Sequence, residues 1–171
     1  QGDCVSLFMQ NRNEFVVQLL GITKLGAIGG LINTNLTKQQ LNHCITLTES
    51  KKCIFGEELT AELNEIREEL SLQDGADYLF VRDQGTEPAP NWAVEVDSKD
   101  TTVDHSNPTE EVAIGNTAFY IFTSGTTGLP KAARFSHRRL IPTAAMGAGL
   151  VLRIDQNDRM YNCLPLYHGT G

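Results

Sequence analysis

Ala118-Phe-Tyr-Ile-Phe122 runs directly into Thr123-Ser-Gly-Thr-Thr-Gly-Leu-Pro-Lys131. The first part is a short, continuous apolar run and reads as a buried strand. The second part is a loop of glycines and hydroxyls closed by a lysine. Gly125 and Gly128 let the backbone approach an anion closely. Successive N–H groups in such a loop form an anion-binding concavity. Thr123, Ser124, Thr126 and Thr127 bring hydroxyl donors, Leu129 and Pro130 lead out of the loop, and Lys131 brings a mobile charge. The composition points to a phosphate-binding loop for a nucleoside triphosphate. It is not the Walker A pattern, which needs G-x-x-x-x-G-K-[ST]. Here the glycines are three apart, and Lys131 stands between Pro130 and Ala132. An ordinary P-loop NTPase is therefore disfavoured. A polar strand-to-helix turn without a ligand uses the same residue types, so the residues alone leave that alternative open.

Upstream, strands and helices alternate. Strands are expected at Cys4–Met9, Leu31–Ile32, Cys53–Phe55 and Tyr78–Val81. The first helix starts near Asn13 and presents Phe15, Val16, Leu19, Leu20 and Leu25, and the glycines at 26, 29 and 30 end it. Thr37-Lys-Gln-Gln40 resembles a capping box for a helix carrying Leu41, Cys44, Ile45 and Thr48. Leu59, Leu63, Ile66 and Leu70 define one helix over 57–72. This alternation predicts an α/β fold with a mainly parallel sheet covered by helices.

Residues 83–111 differ in character, with eight acidic residues, one lysine and three prolines. They read as an exposed connection, with Trp92–Val96 as a short edge strand at most. The expected organisation is thus 1–82, an acidic connection 83–111, and a loop-bearing portion 112–171. Beyond the loop, Ser136 is an N-cap for a helix that Pro142 should kink or restart. Met160–Cys163 reads as a last strand. Its end delivers Leu164-Pro-Leu-Tyr-His168, at the strand end where ligands gather in open α/β sheets.

Composition sets limits. The 171 residues suffice for one sizeable core. A net charge of −7 argues against nucleic acid as a partner. Yet no acidic residue lies between Glu111 and Asp155, an interval holding Lys131, Arg134, Arg138, Arg139 and Arg153. That asymmetry suits polyphosphate, while Arg138 and Arg139 read as solvated helix residues. Cys4, Cys44, Cys53 and Cys163 show no metal-ligand or disulfide spacing, and read as reduced packing residues. No metal site is expected from them. Asn35-Leu-Thr37 fits the glycosylation sequon, which reduced cysteines devalue. No stretch reaches the roughly 18 apolar residues of a membrane span. The chain begins with Gln and ends inside a motif, so it reads as part of a longer protein. His43 and His105 have no constellation around them, and His137 reads as structural.

Tyr120-Ile-Phe-Thr-Ser-Gly-Thr-Thr-Gly-Leu-Pro-Lys-Ala-Ala133 resembles the AMP-binding signature of the adenylate-forming superfamily. Cys163-Leu-Pro-Leu-Tyr-His-Gly-Thr-Gly171 is similar to a segment of its fatty acid transport protein branch, which comprises long- and very-long-chain acyl-CoA synthetases. Lys24-Leu-Gly-Ala-Ile-Gly-Gly-Leu-Ile-Asn33 resembles an upstream superfamily motif. The resemblance implies part of a large N-terminal domain. It implies ATP, Mg2+ and coenzyme A, a fatty acid substrate, and the formation of acyl-AMP before acyl-CoA. Thr123–Lys131 would hold phosphates. Tyr167, His168 and Gly169 would line the acyl-adenylate pocket, with His168 as the catalytic candidate. The chain by itself should be inactive, because adenine contacts, a later metal ligand and a C-terminal domain lie outside it. Other readings are a fatty-acid uptake protein, or a superfamily ligase for aryl, short-chain or carnitine-like acids. The expected location is the cytoplasm or the cytosolic face of a membrane, with any membrane contact made by other parts.

Overall fold

Period-two burial sorts the strand side chains onto two faces. Phe8, Cys53, Phe55, Tyr78 and Phe80 point to one core. Leu7, Met9, Ile54 and Val81 point to the other. Both faces are apolar, as a parallel sheet covered by helices requires. The computed structural model describes residues 1–85, 88–96, 108–123 and 128–169.

β1 (Cys4–Phe8) lies between β2 (Ile28–Leu31) and β3 (Lys52–Gly56). β4 (Tyr78–Val81) continues beyond β3, and β5 (Val94–Glu95) closes that edge. On the other side β6 (Thr117–Thr123) pairs with β2, and β7 (Lys131–Ser136) returns antiparallel beside β6. The order is β5-β4-β3-β1-β2-β6-β7, with every pair but the last parallel. The expected α/β class is thus observed. The chain leaves β1 towards β2 and leaves the adjacent β3 towards β4, in opposite directions along the sheet, which opens a crevice at the carboxyl ends of β1 and β3.

The helices divide between the faces. α1 (Asn13–Lys24) packs Phe15 and Ile22 into one core. α2 (Lys38–Leu47) and α3 (Thr60–Ile66) fill the other with Leu41, Cys44, Ile45, Leu63 and Ile66. Each large apolar side chain so buried contributes about 1.5–3 kcal/mol, more than the propensity differences between residues. α4 (His137–Ala145) follows β7 directly. Among the described residues no helix is long and apolar enough to cross a membrane.

Several expectations need correction. β2 includes Gly29 and Gly30, which were expected to break structure. A Cβ on Gly30 would stand 3.3 Å from Cys4 Sγ, and one on Gly29 would stand 2.9 Å from Leu19 Cδ1. Glycine costs about 0.5–1 kcal/mol in a strand, but here it lets β1 and α1 close on β2. On α1 the buried stripe is Phe15, Leu19 and Ile22, spaced four and three apart. Val16, Leu20 and Leu25 stay 44%, 62% and 61% exposed, because they lie round the helix or past its end. The single helix expected over 57–72 has α-helical geometry only at Thr60–Ile66, between 3-10 turns at Glu57–Leu59 and Arg67–Glu69. Side chains take up carbonyls in both 3-10 turns: Thr60 Oγ1 donates to Glu57 at 2.8 Å, and the Tyr78 hydroxyl donates to Arg67 at 3.1 Å.

Neither Thr37 nor Ser136 caps with its side chain. The Thr37 carbonyl instead accepts from Gln40 and Leu41 N–H. α4 runs through Pro142 without restarting. Thr143 Oγ1 donates to the Arg139 carbonyl at 2.7 Å, and the helix widens to a π turn at Met146–Val151. Met160–Cys163 is not a strand. Met160 and Tyr161 are 70% and 88% exposed, and no strand lies beside them among the described residues.

Candidate functional site

The glycine-rich loop joins two antiparallel strands rather than a strand and a helix. β6 ends at Thr123, β7 begins at Lys131, and the two residues are cross-strand partners. Thr123 Oγ1 also points to the Lys131 carbonyl at 3.5 Å. The ladder therefore fixes both stems of the loop. Gly128 has φ +92°, a conformation that a side chain would strain. Lys131 is exposed at the loop mouth, and Leu129 and Pro130 are half-buried. Ser124, Gly125, Thr126 and Thr127 lie outside the described residues.

His43 belongs to this loop, contrary to the expectation that it stands alone. Its Nε2 lies 3.0 Å from the Pro130 carbonyl oxygen. A carbonyl only accepts, so Nε2 carries the proton and donates. α2 thereby holds the exit of the loop one residue before Lys131. A lone histidine on a helix gives no local signal of such a contact.

Leu164–Gly169 crosses the same end of the sheet. Asn11, just after β1, receives and gives hydrogen bonds to Leu166 and Leu164. Asn35, after β2, donates to the Tyr167 hydroxyl at 3.3 Å. Gly169 lies against β6, where a Cβ would meet Ile121 Cδ1 at 3.4 Å. Ile121 is two residues before Thr123. The Tyr167–Gly169 segment and the loop stems thus share the carboxyl edge of β1, β2 and β6. Tyr167 packs against the core below. The His168 N–H closes a turn onto the Pro165 carbonyl at 3.0 Å.

A cavity of about 610 Å3 opens between this edge, α1 and α4. Its walls include Phe15, Leu19, Phe119, Leu140 and Leu166, with His168 at the rim. The size and apolar lining match sites for small organic ligands. The exposed Val16 and Leu20 of α1 face into it, which explains their failure to join the core.

The cationic stretch has mixed roles. Arg134 donates to Thr117 Oγ1 through Nε and Nη2 at 3.2 and 2.8 Å. Arg139 is not merely solvated: its guanidinium sits 4.5 Å over the Phe135 ring, which stacks on Phe119. His137 bonds through its backbone to Asn116. Cys4, Cys44 and Cys53 are buried and unpaired, and burial pushes the Cys44 and Cys53 thiols up to about 12. They are packing residues, as expected. Cys163 is exposed, so it does not share that role.

Known proteins carry the same arrangement of sequence and fold. Long-chain fatty acid transport protein 1 of Bos taurus is 36% identical over 178 residues, which is 99% of this chain and 26% of the relative. Medium/long-chain-fatty-acid–CoA ligase FadD6 of Mycobacterium tuberculosis is 35% identical over 171 residues, again 99% and 26%. The chain thus spans about a quarter of the length of these relatives. Among solved structures, the anthranilate CoA ligase AuaEII in complex with anthranoyl-AMP superposes with a TM-score of 0.79 at 25% identity, over 97% of this chain and 31% of that one. The N-terminal domain of FACL13 from Mycobacterium tuberculosis gives 0.73 at 26% identity, over 98% and 39%. The family pattern of AMP-binding enzymes matches residues 1–171. With signature loop, sheet order and relatives in agreement, the chain belongs to the AMP-binding enzyme family.

Proposed function

We propose that the protein acts as an ATP-dependent fatty acid–CoA ligase, and that this chain is a portion of its N-terminal domain carrying the phosphate loop. The observation that carries the reading is one of placement. The stems of the signature loop and the Tyr167–Gly169 turn share one sheet edge, and an apolar cavity of about 610 Å3 opens beside them.

In the first step a carboxylate oxygen attacks the α-phosphorus of ATP. The bond from that phosphorus to the bridging oxygen breaks, giving acyl-AMP and pyrophosphate. In the second, the thiol of coenzyme A attacks the acyl carbon, AMP leaves, and the thiol proton passes to solvent. Both partners of the first step are anions, so positioning and charge stabilisation dominate. Thr123, Ser124, Thr126 and Thr127 would donate to the β- and γ-phosphates. Gly125 and Gly128 would admit them closely, Leu129 and Pro130 would shape the exit, and Lys131 would offset the charge of departing pyrophosphate. The cavity would take the acyl chain, with Tyr167 and Gly169 as its wall. His168 would steer the carboxylate from the rim. For magnesium, no group of three or more His, Cys, Asp or Glu side chains converges among the described residues, and none of these steps is routed through it.

Similarity to a long-chain fatty acid transport protein carries a second reading, fatty-acid uptake. Acyl-CoA formation separates the two. The full-length protein, given ATP, coenzyme A and a panel of acids, should make thioesters of long-chain acids. Thioesters of aryl or short acids alone would keep the ligase and discard the fatty acid. Lipid binding without any thioester would favour uptake.

A further inference from the structure

Asn11 sits just after β1, at the crevice between the carboxyl ends of β1 and β3. It is exposed, yet both ends of its side-chain amide bond a distant segment. Nδ2 donates to the Leu164 carbonyl at 2.8 Å, and the Leu166 N–H donates to Oδ1 at 2.8 Å. The two bonded backbone groups flank Pro165, which has no N–H of its own. A primary amide presents donor and acceptor side by side, so it pairs with this backbone as a neighbouring strand would. No carboxylate does the same, since it only accepts.

What Asn11 grips is the base of the turn that carries His168. The Pro165 carbonyl accepts from the His168 N–H at 3.0 Å. On the far side Asn35 bonds the Tyr167 hydroxyl, and Asn35 is itself held by its N–H to Asn33 Oδ1 at 2.9 Å. The segment has no strand partner among the described residues, and residues before it are largely exposed. Two asparagine side chains from successive strand ends therefore substitute for a ladder. Of the two, Asn11 makes the shorter bonds, and makes both of them to backbone.

We propose that Asn11 is a positioning residue for the carboxylic acid substrate. It fixes the depth at which His168 and Leu166 enter the cavity, and so the pose of the acid against the α-phosphate. This rests on the reading of Tyr167–Gly169 as the acyl-adenylate wall. A small misplacement of a reacting group lowers rate about 100-fold.

The test uses the full-length protein and two readouts. The first is ATP–pyrophosphate exchange with a long-chain acid, with KM for acid and for ATP measured separately. Asn11→Ala should lower kcat/KM for the acid by about 10- to 100-fold, leave the KM for ATP within about twofold, and leave Tm nearly unchanged. Asn11→Asp keeps the acceptor for Leu166 and loses the donor to Leu164. Its activity relative to wild type should recover as pH is lowered and the carboxyl regains a proton. The second readout is amide hydrogen exchange, where Leu166 should lose protection in Asn11→Ala. Acid and ATP parameters falling together in step with Tm would reduce Asn11 to a stability role and overturn the inference. So would unchanged kinetics, or retained protection at Leu166. Wild-type protein that exchanges with no acid would overturn the site reading and this inference with it. Loss of protection at Leu166 would then still show that the clamp exists.

Discussion

His43 Nε2 donates to the Pro130 carbonyl across 3.0 Å, tying α2 to the exit of the signature loop. His43→Ala removes that donor and leaves a half-buried carbonyl without this partner. One such bond is worth about 1 kcal/mol, or roughly a three- to tenfold rise in the KM for ATP. His43→Gln keeps an N–H donor and should lose less. Equal effects on the KM for ATP and for acid would sink the assignment to the loop.

Trp92 shows why the acidic connection is more than a surface loop. Its ring stacks on Phe55 at 5.2 Å, meets Tyr78 edge-on at 5.2 Å, and carries the Arg67 guanidinium 5.6 Å from its centroid. It is only 9% exposed. Trp92→Ala should cost about 3–5 kcal/mol in urea unfolding, and Trp92→Phe clearly less. A loss below about 1 kcal/mol would mean that the segment does not seal the core.

Asp77 makes the fold sensitive to acid. The backbone N–H of Gln73 is the main cause that holds its carboxyl below the ordinary carboxylate value of 3.8; partial burial opposes this, and Lys52 at 3.2 Å adds to it. A lowered folded value means that the carboxylate stabilises the native state above pH 3.8, and that this contribution is lost as pH falls through the lower value. Asp77→Asn should therefore be less stable than wild type at neutral pH, with the gap narrowing below about pH 3.8. A gap constant down to pH 2 would show that charge is not its source.

The parts of the fold legible in the sequence were those set by apolar patterning. Cys53–Phe55 and Tyr78–Val81 alternate between two cores, Leu7 and Phe8 of β1 point to opposite ones, the β6 run is apolar and largely buried, and Leu59, Leu63, Ile66 and Leu70 keep helical spacing. Close approach was not legible. Gly29 and Gly30 read as breakers, although their missing side chains are what lets Leu19 of α1 and Cys4 of β1 close on β2. β7 was hidden because Lys131-Ala-Ala-Arg has little strand character, and only its ladder to β6 makes it a strand. At the candidate site, the loop and the Tyr-His segment were visible as motifs. Asn11, Asn35 and His43 were not, since each bonds a group more than 80 residues away in the chain, backbone for Asn11 and His43 and the Tyr167 hydroxyl for Asn35, and no local spacing encodes that.

ATP–pyrophosphate exchange by the full-length protein, with Lys131→Ala alongside, tests the central claim most directly. Exchange isolates adenylation from thioester formation. It should depend on a long-chain fatty acid, and Lys131→Ala should lower it about 100- to 1,000-fold, the range for losing a group that stabilises developing charge. Acid-dependent exchange that persists unchanged in Lys131→Ala would contradict the role given to the loop. Absence of exchange with every acid would contradict the ligase itself.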